Sequence, residues 1–143
     1  MKKIALTLFA VIISAAIFAQ AKSAEELVKF AQTKHNFGKI KQGVPVNYNF
    51  EFTNVSSQPV VIQKASASCG CTTPTWPQQP VAGGKTNKIT AGFNAAAPGP
   101  FDKTVFVTVA GVDKPVELRI SGEVLKAEDY AKFEAEKDKK GSK

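Results

Sequence analysis

Cys69 and Cys71, the only two cysteines of the 143-residue chain, stand one residue apart in Ser68-Cys69-Gly70-Cys71-Thr72. In an extended strand such positions face the same side, with Cα atoms roughly 6.6 Å apart. A disulfide prefers about 5.5–6 Å, and Gly70 can bend the chain to shorten the gap. A bridge is therefore reachable, with strain expected. It would close a very small loop, stabilising the fold by only on the order of 1.5 kcal/mol in the chain-entropy picture. Three readings stay open. The pair is a local disulfide, or two half-buried thiols, finishing a strand. It is a redox pair exchanging with other thiols, although no basic residue or helix N-terminus adjacent in sequence would lower a thiol pKa. Or two thiolates hold soft Cu(I).

A closed zinc site needs four ligands. The only histidine, His35, lies far upstream, so a Cys69, Cys71, His35 set exists only if the fold brings that segment close. The expectation is no intrinsic metal and no cofactor. With one histidine there is no nucleophile–base set of independent parts and no His-Glu-x-x-His, which argues against an enzyme. Gly84-Lys85-Thr86 resembles the end of a phosphate-binding loop, but Gln79 stands where glycine is required and a strand-like segment follows. Asn54-Val55-Ser56 fits a glycosylation acceptor, a common and weak match. The remaining feature is Pro74-Thr75-Trp76-Pro77-Gln78-Gln79-Pro80, where three prolines predict a stiff extended loop carrying the only tryptophan. Trp76 either folds back to cap the core or stays exposed as a partner contact.

The elements that must position these residues are strands. Val46, Tyr48, Phe50 and Phe52 alternate with polar neighbours, as do Ile89, Ala91 and Phe93, and Val116, Leu118, Ile120 and Val124. Val105, Val107 and Val109 share a face. Less regular strands are expected near Leu27 to Thr33, His35 to Ile40 and Pro59 to Ala67. Phe30 and Phe37 are out of phase, so the chain must bulge or turn between them. Turn residues separate the runs at Asn54 to Gln58, Gly83-Gly84, Pro98-Gly99-Pro100 and Ala110 to Lys114. Six or seven short strands with no helix between them predict an all-β fold, an immunoglobulin-like antiparallel β-sandwich. The long-range inter-sheet disulfide of antibody domains is not available to two neighbouring cysteines.

Met1-Lys2-Lys3, the apolar run Ile4 to Phe18 and Ala19-Gln20-Ala21 have the three-part layout of a secretory signal, with cleavage expected after Ala21. The run is shorter than the roughly 20 apolar residues of a spanning helix. The expected organisation is a signal at 1–21, a sandwich domain at 22–125 and a charged tail at 126–143, forming a short helix or disordered. The mature chain is expected to be secreted or periplasmic, with no stable membrane anchor. Cleavage lowers the formal charge from +7 to +5. The lysines are scattered without interleaved aromatics, which argues against nucleic acid. In the tail only Tyr130 and Phe133 are large and apolar, so fraying beyond Phe133 is expected.

His35-Asn36-Phe37-Gly38, Phe52-Thr53-Asn54, Ser68-Cys69-Gly70-Cys71-Thr72 with Trp76-Pro77, Gly83-Gly84-Lys85 and Ile120-Ser121-Gly122-Glu123-Val124 occur in an order that resembles the domain of unknown function 1573 family. The resemblance covers roughly Val28 to Leu125. It implies secretion, mainly in Gram-negative bacteria, and a fold similar to hydin-type and major-sperm-protein-like immunoglobulin domains. The lipid-anchor cysteine that many members carry after the signal is absent from this sequence. Together these features predict an exported, non-catalytic module acting by protein binding or assembly, with an unidentified partner in the cell envelope. The alternative is a thiol–disulfide or Cu(I)-handling protein that uses Cys69 and Cys71.

Overall fold

The computed structural model describes residues 23–141, so the signal segment at 1–21 lies outside the described residues. A short 3-10 helix, Ala24–Glu26, is capped by Ser23, whose hydroxyl accepts from the Glu25 N–H. Eight strands follow, β1 (Val28–Phe30), β2 (Lys34–Lys41), β3 (Val46–Asn54), β4 (Ile62–Ala67), β5 (Thr72–Thr75), β6 (Thr86–Phe93), β7 (Gly99–Val109) and β8 (Val116–Leu125). Helix α1 (Ala127–Gly141) is the last element of the described residues. One sheet has the order β1-β3-β6-β5 and the other β2-β8-β7-β4. The all-β, immunoglobulin-like sandwich expected from the alternation is the observed architecture.

Period-two alternation builds the core. Phe50, Phe52, Ile89 and Ala91 point inward from one sheet, and Val105, Val107, Leu118 and Ile120 from the other, all essentially inaccessible. Truncating a buried phenylalanine of this kind costs about 3–5 kcal/mol. Their polar neighbours form the outer faces, where Thr53 meets Thr86 at 3.0 Å and the Thr90 hydroxyl donates to Asn49 at 2.7 Å.

Three expectations need correction. There are eight strands instead of six or seven, because Thr72–Thr75 is a strand despite Pro74. Proline is excluded from central strands but tolerated on edges, and β5 is an edge, paired only with β6. The long proline loop therefore starts after Thr75. Nor is the sandwich antiparallel throughout, since β2 runs parallel to β8. The out-of-phase Phe30 and Phe37 lie on strands of different sheets. The chain leaves β1 at Ala31, and the Thr33 carbonyl accepts from Arg119 N–H at 2.8 Å as β2 joins the second sheet. A register shift between Asn36 and Lys39 follows from Gly38, at φ 68°, whose N–H donates to Asn36 Oδ1 at 2.7 Å.

In the tail the helix is one of the two expected states, and the expected fraying beyond Phe133 is what needs correction. The helix runs well past Phe133 to Gly141. Its first turn carries Glu128 and Asp129, where the helix dipole favours negative charge. Tyr130 and Phe133 share a face, and Lys39 Nζ lies 5.2 Å from the centre of the Phe133 ring, which ties the helix to β2. No helix among the described residues is long and apolar enough to cross a membrane.

Candidate functional site

The Cys69–Cys71 segment is the crossover between β4 and β5, the edge strands of the two sheets. The cysteines are joined by a disulfide, with Cα atoms 5.3 Å apart. They do not finish a strand, as one reading had it. The chain bends after Ala67 and turns at Gly70-Cys71, so the backbone closes the gap that an extended strand would leave. The turn is pinned at both ends. Ser68 N–H donates to the Thr104 carbonyl at 2.9 Å, and Thr104 N–H to Ser68 Oγ at 3.1 Å. On the other side the Cys71 carbonyl accepts from Asn94 N–H at 3.1 Å, and the Cys69 carbonyl from Thr72 N–H at 3.3 Å. Both cysteines are half-buried. Gly70 has no positive φ and nothing within 4 Å of where a Cβ would sit, so neither conformation nor crowding demands glycine there.

Thr72, next to the bridge, has surroundings that its place in the sequence does not disclose. Its side chain is buried, 5% exposed, with Oγ1 3.7 Å from Cys69 Sγ and 4.0 Å from Cys71 Sγ. Among the described residues these sulfurs are its only side-chain partners. Beside the bridge is a cavity of about 280 Å³ lined by Gly70, Cys71, Asn94, Phe101 and Lys103, among others.

Trp76 follows β5 half-buried against the core, and its carbonyl accepts from Gln78 Nε2 at 3.1 Å. His35 is not brought to the cysteines. Its ring stacks on Tyr48, with centroids 3.6 Å apart, and takes the edge of Phe37 at 4.6 Å. Burial pushes its pKa below the ordinary value. Among the described residues no three His, Cys, Asp or Glu side chains converge to hold a metal, so a Cys69, Cys71, His35 centre is not assembled. The bridged sulfurs are also not thiolates in this state, which is what a Cu(I) site requires.

The glycosylation match fails on burial. Asn54 is fully inaccessible; its Nδ2 donates to the carbonyls of Gln58 (2.7 Å) and Val81 (2.8 Å). Its Oδ1 accepts from Ser56 N–H (2.9 Å) and Ser56 Oγ (2.7 Å). Asn54 organises the turn after β3, against which Gly83-Gly84 packs. A Cβ on Gly83 would lie 2.7 Å from the Ser56 carbonyl oxygen.

The structure is similar to the ASH/PapD-like domain of human CEP192 (PapD-like domain 7), with TM-score 0.60 and 12% identity, covering 80% of this chain and 96% of that domain. It is also similar to a protein of unknown function from Porphyromonas gingivalis W83, with TM-score 0.59 and 12% identity, covering 72% of this chain and 50% of that one. Vibrio cholerae VesB protease matches at TM-score 0.53 and 16% identity, over 70% of this chain and 32% of the protease. The chain thus spans nearly all of the first, half of the second and about a third of the third. At these identities the likeness is one of fold. No protein of curated function matches the sequence. Residues 28–124 match the family described as "Protein of unknown function (DUF1573)".

Proposed function

The chain belongs to the DUF1573 family, and on that premise we propose that it is an exported, non-catalytic immunoglobulin-like module that binds an extended segment of a cell-envelope protein at the β4 edge. The signal layout of residues 1–21 supports export, and a disulfide fits an oxidising compartment. The observation that carries the binding reading is the state of the four edges. β1 and β5 have three and four residues, and α1 packs beside β2, which also bulges at Gly38. β4 is the longest edge that no helix packs against.

Its geometry suits strand addition. Ser68 N–H bonds to β7, and the two-residue alternation of an antiparallel ladder turns the Ser66 and Lys64 groups the same way. The N–H groups of Ala65 and Ala67 therefore point to the free side. Backbone bonds of this kind supply affinity with little demand on sequence, while exposed Val61, Gln63 and Lys64 supply selectivity. Half-buried Trp76 packs against the core, which favours the strand over the loop as the contact.

A photo-crosslinking residue at Gln63 should give a discrete adduct in envelope fractions, and one at Lys88, on the outer face of the other sheet, should not. Ala67→Pro removes an outward N–H without taking a bond from β7, and should abolish the adduct while the circular-dichroism spectrum is kept. Equal adducts at both positions, or an adduct indifferent to Ala67→Pro, would sink the proposal.

A further inference from the structure

We infer that the Cys69–Cys71 bridge is a reversible electron acceptor for dithiols, with Thr72 as the positioning residue that stabilises the thiolate formed when it opens. This is independent of what binds at the β4 edge. Two observations carry it.

The first is that the bridge holds together very little. It closes a three-residue loop whose ends are already fixed by Ser68 on Thr104 and by Cys71 on Asn94. Constraint of the unfolded chain scales with loop length, so so short a loop contributes little. Opening it leaves both pinned ends in place, and the fold can survive reduction.

The second is the buried hydroxyl of Thr72. On a residue only 5% exposed, a hydroxyl has little water to bond, and a donor left without a partner there is costly. Here the acceptors within reach are two sulfurs, at 3.7 and 4.0 Å. A bridged sulfur is a weak acceptor, whereas a thiolate is a strong, charged one. The hydrogen bond therefore strengthens when the bridge is opened, which favours the reduced state and lowers the thiol pKa.

The cavity supplies the approach. A thiolate of the donor enters beside Lys103, whose charge attracts it, and attacks Cys71 Sγ. The donor-S–Sγ(Cys71) bond forms and the Cys69–Cys71 bond breaks. Its electron pair leaves on Cys69 Sγ, the sulfur nearer the Thr72 hydroxyl. The donor's second thiolate then attacks its own mixed-disulfide sulfur and releases Cys71 as a thiolate, and both cysteines take protons from solvent. The donor is oxidised to a disulfide, and Cys69 and Cys71 are reduced by the same two electrons. The reactant class is a vicinal dithiol, on a small molecule or a protein.

The test is equilibration of the folded mature chain in graded reduced and oxidised dithiothreitol, with acid quench, maleimide–polyethylene glycol trapping and gel readout. The wild type should be reduced without change in its Trp76 fluorescence. Thr72→Val should need roughly tenfold more reducing conditions, the effect expected for losing a hydrogen bond to a charged group, and Thr72→Ser should restore the wild-type midpoint. A bridge that opens only when the domain unfolds overturns the inference, as does a Thr72→Val midpoint equal to wild type. Should Thr72→Val not fold, alkylation of the reduced wild type against pH decides. Half-reactivity of Cys69 below the free-thiol pKa of about 8.5 supports the inference, and a value at or above it overturns it.

Discussion

The turn built by Asn54 and the turn that holds Cys69 and Cys71 contain the same physical ingredient, a buried uncharged polar side chain, and use it in opposite ways. Asn54 is fully inaccessible and spends its amide on four hydrogen bonds, every one to a permanent donor or acceptor of its own turn or of Val81. Gly83 is pressed against that turn. Thr72 is almost as buried, yet its hydroxyl faces only two sulfurs, and the neighbouring Gly70 has open space around it. Burial of a polar group is thus not a marker of function. What separates the two turns is whether the partners can change their chemistry.

The largest effect that tests this contrast is at Asn54. Asn54→Ala removes four hydrogen bonds at a fully inaccessible site and leaves the Ser56 N–H without its acceptor, at about 1–3 kcal/mol for that group alone, while the Gln58 and Val81 carbonyls keep Ser56 Oγ and Val60 N–H. A loss of about 3 kcal/mol or more is expected from urea unfolding of the reduced and the oxidised protein alike. A loss below about 1 kcal/mol would break the contrast, because Asn54 would then hold no more than the disulfide does.

Replacing both Cys69 and Cys71 by serine should cost only about 1–2 kcal/mol, since the closed loop is so short. A midpoint shift as large as that of Asn54→Ala would make the bridge a staple and remove the distinction.

A smaller effect belongs to His35, a polar ring half-buried between Tyr48 and Phe37. Burial holds its folded-state pKa below the ordinary 6.5, so the unfolded chain takes up the proton first. Its contribution is fully present above pH 6.5 and is lost as pH falls from there through the folded-state pKa. Urea midpoints between pH 7 and 5 should therefore decline slightly, and His35→Gln should flatten that decline. An unchanged slope in the variant would mean that the ring is not desolvated.

The smallest effect sharpens the contrast most. Gly70→Ala should change stability by less than about 0.5 kcal/mol, the range of unconstrained surface positions. Gly83→Ala, which forces a Cβ to within 2.7 Å of a backbone oxygen, should be clearly destabilising. Equal costs at the two glycines would show that the Cys turn is as tightly built as the Asn54 turn.

Strands that bury one face were legible because alternation records burial directly. Phe50, Phe52, Ile89, Val107 and Leu118 fall on the inward face that their spacing assigns. Edges were harder to read. β5 pairs on one side only and accommodates Pro74, so it lacks both the alternation and the composition of a strand. Pro100 hid the true start of β7 for a related reason. β4 stops pairing near Thr104, so at Pro100 the strand has only β8 beside it. The parallel placement of β2 depends on which sheet the chain enters after Ala31, and that is decided by contacts with residues at the far end of the sequence. At the candidate site the cysteines were legible from type and spacing. Thr72 was not, because a threonine next to a cysteine becomes significant only once the turn aims its hydroxyl at both sulfurs.

The parallel β2–β8 pair also dictates the order of assembly. His35 registers with Ile120, across nearly the whole domain, whereas β7 and β8 form a local hairpin and β3 pairs with β6 after an intermediate span. Contacts so distant along the chain carry a large loop-closure cost before they return any stabilisation. β2 therefore has no edge to join until β8 is present, and loop-closure cost favours its late addition to the local β7–β8 hairpin. A ribosome releasing this chain from its N-terminus delivers β2 well before β8. Until β8 has formed, β2 has no partner in its sheet, and an unpaired strand of this kind is open to mispairing.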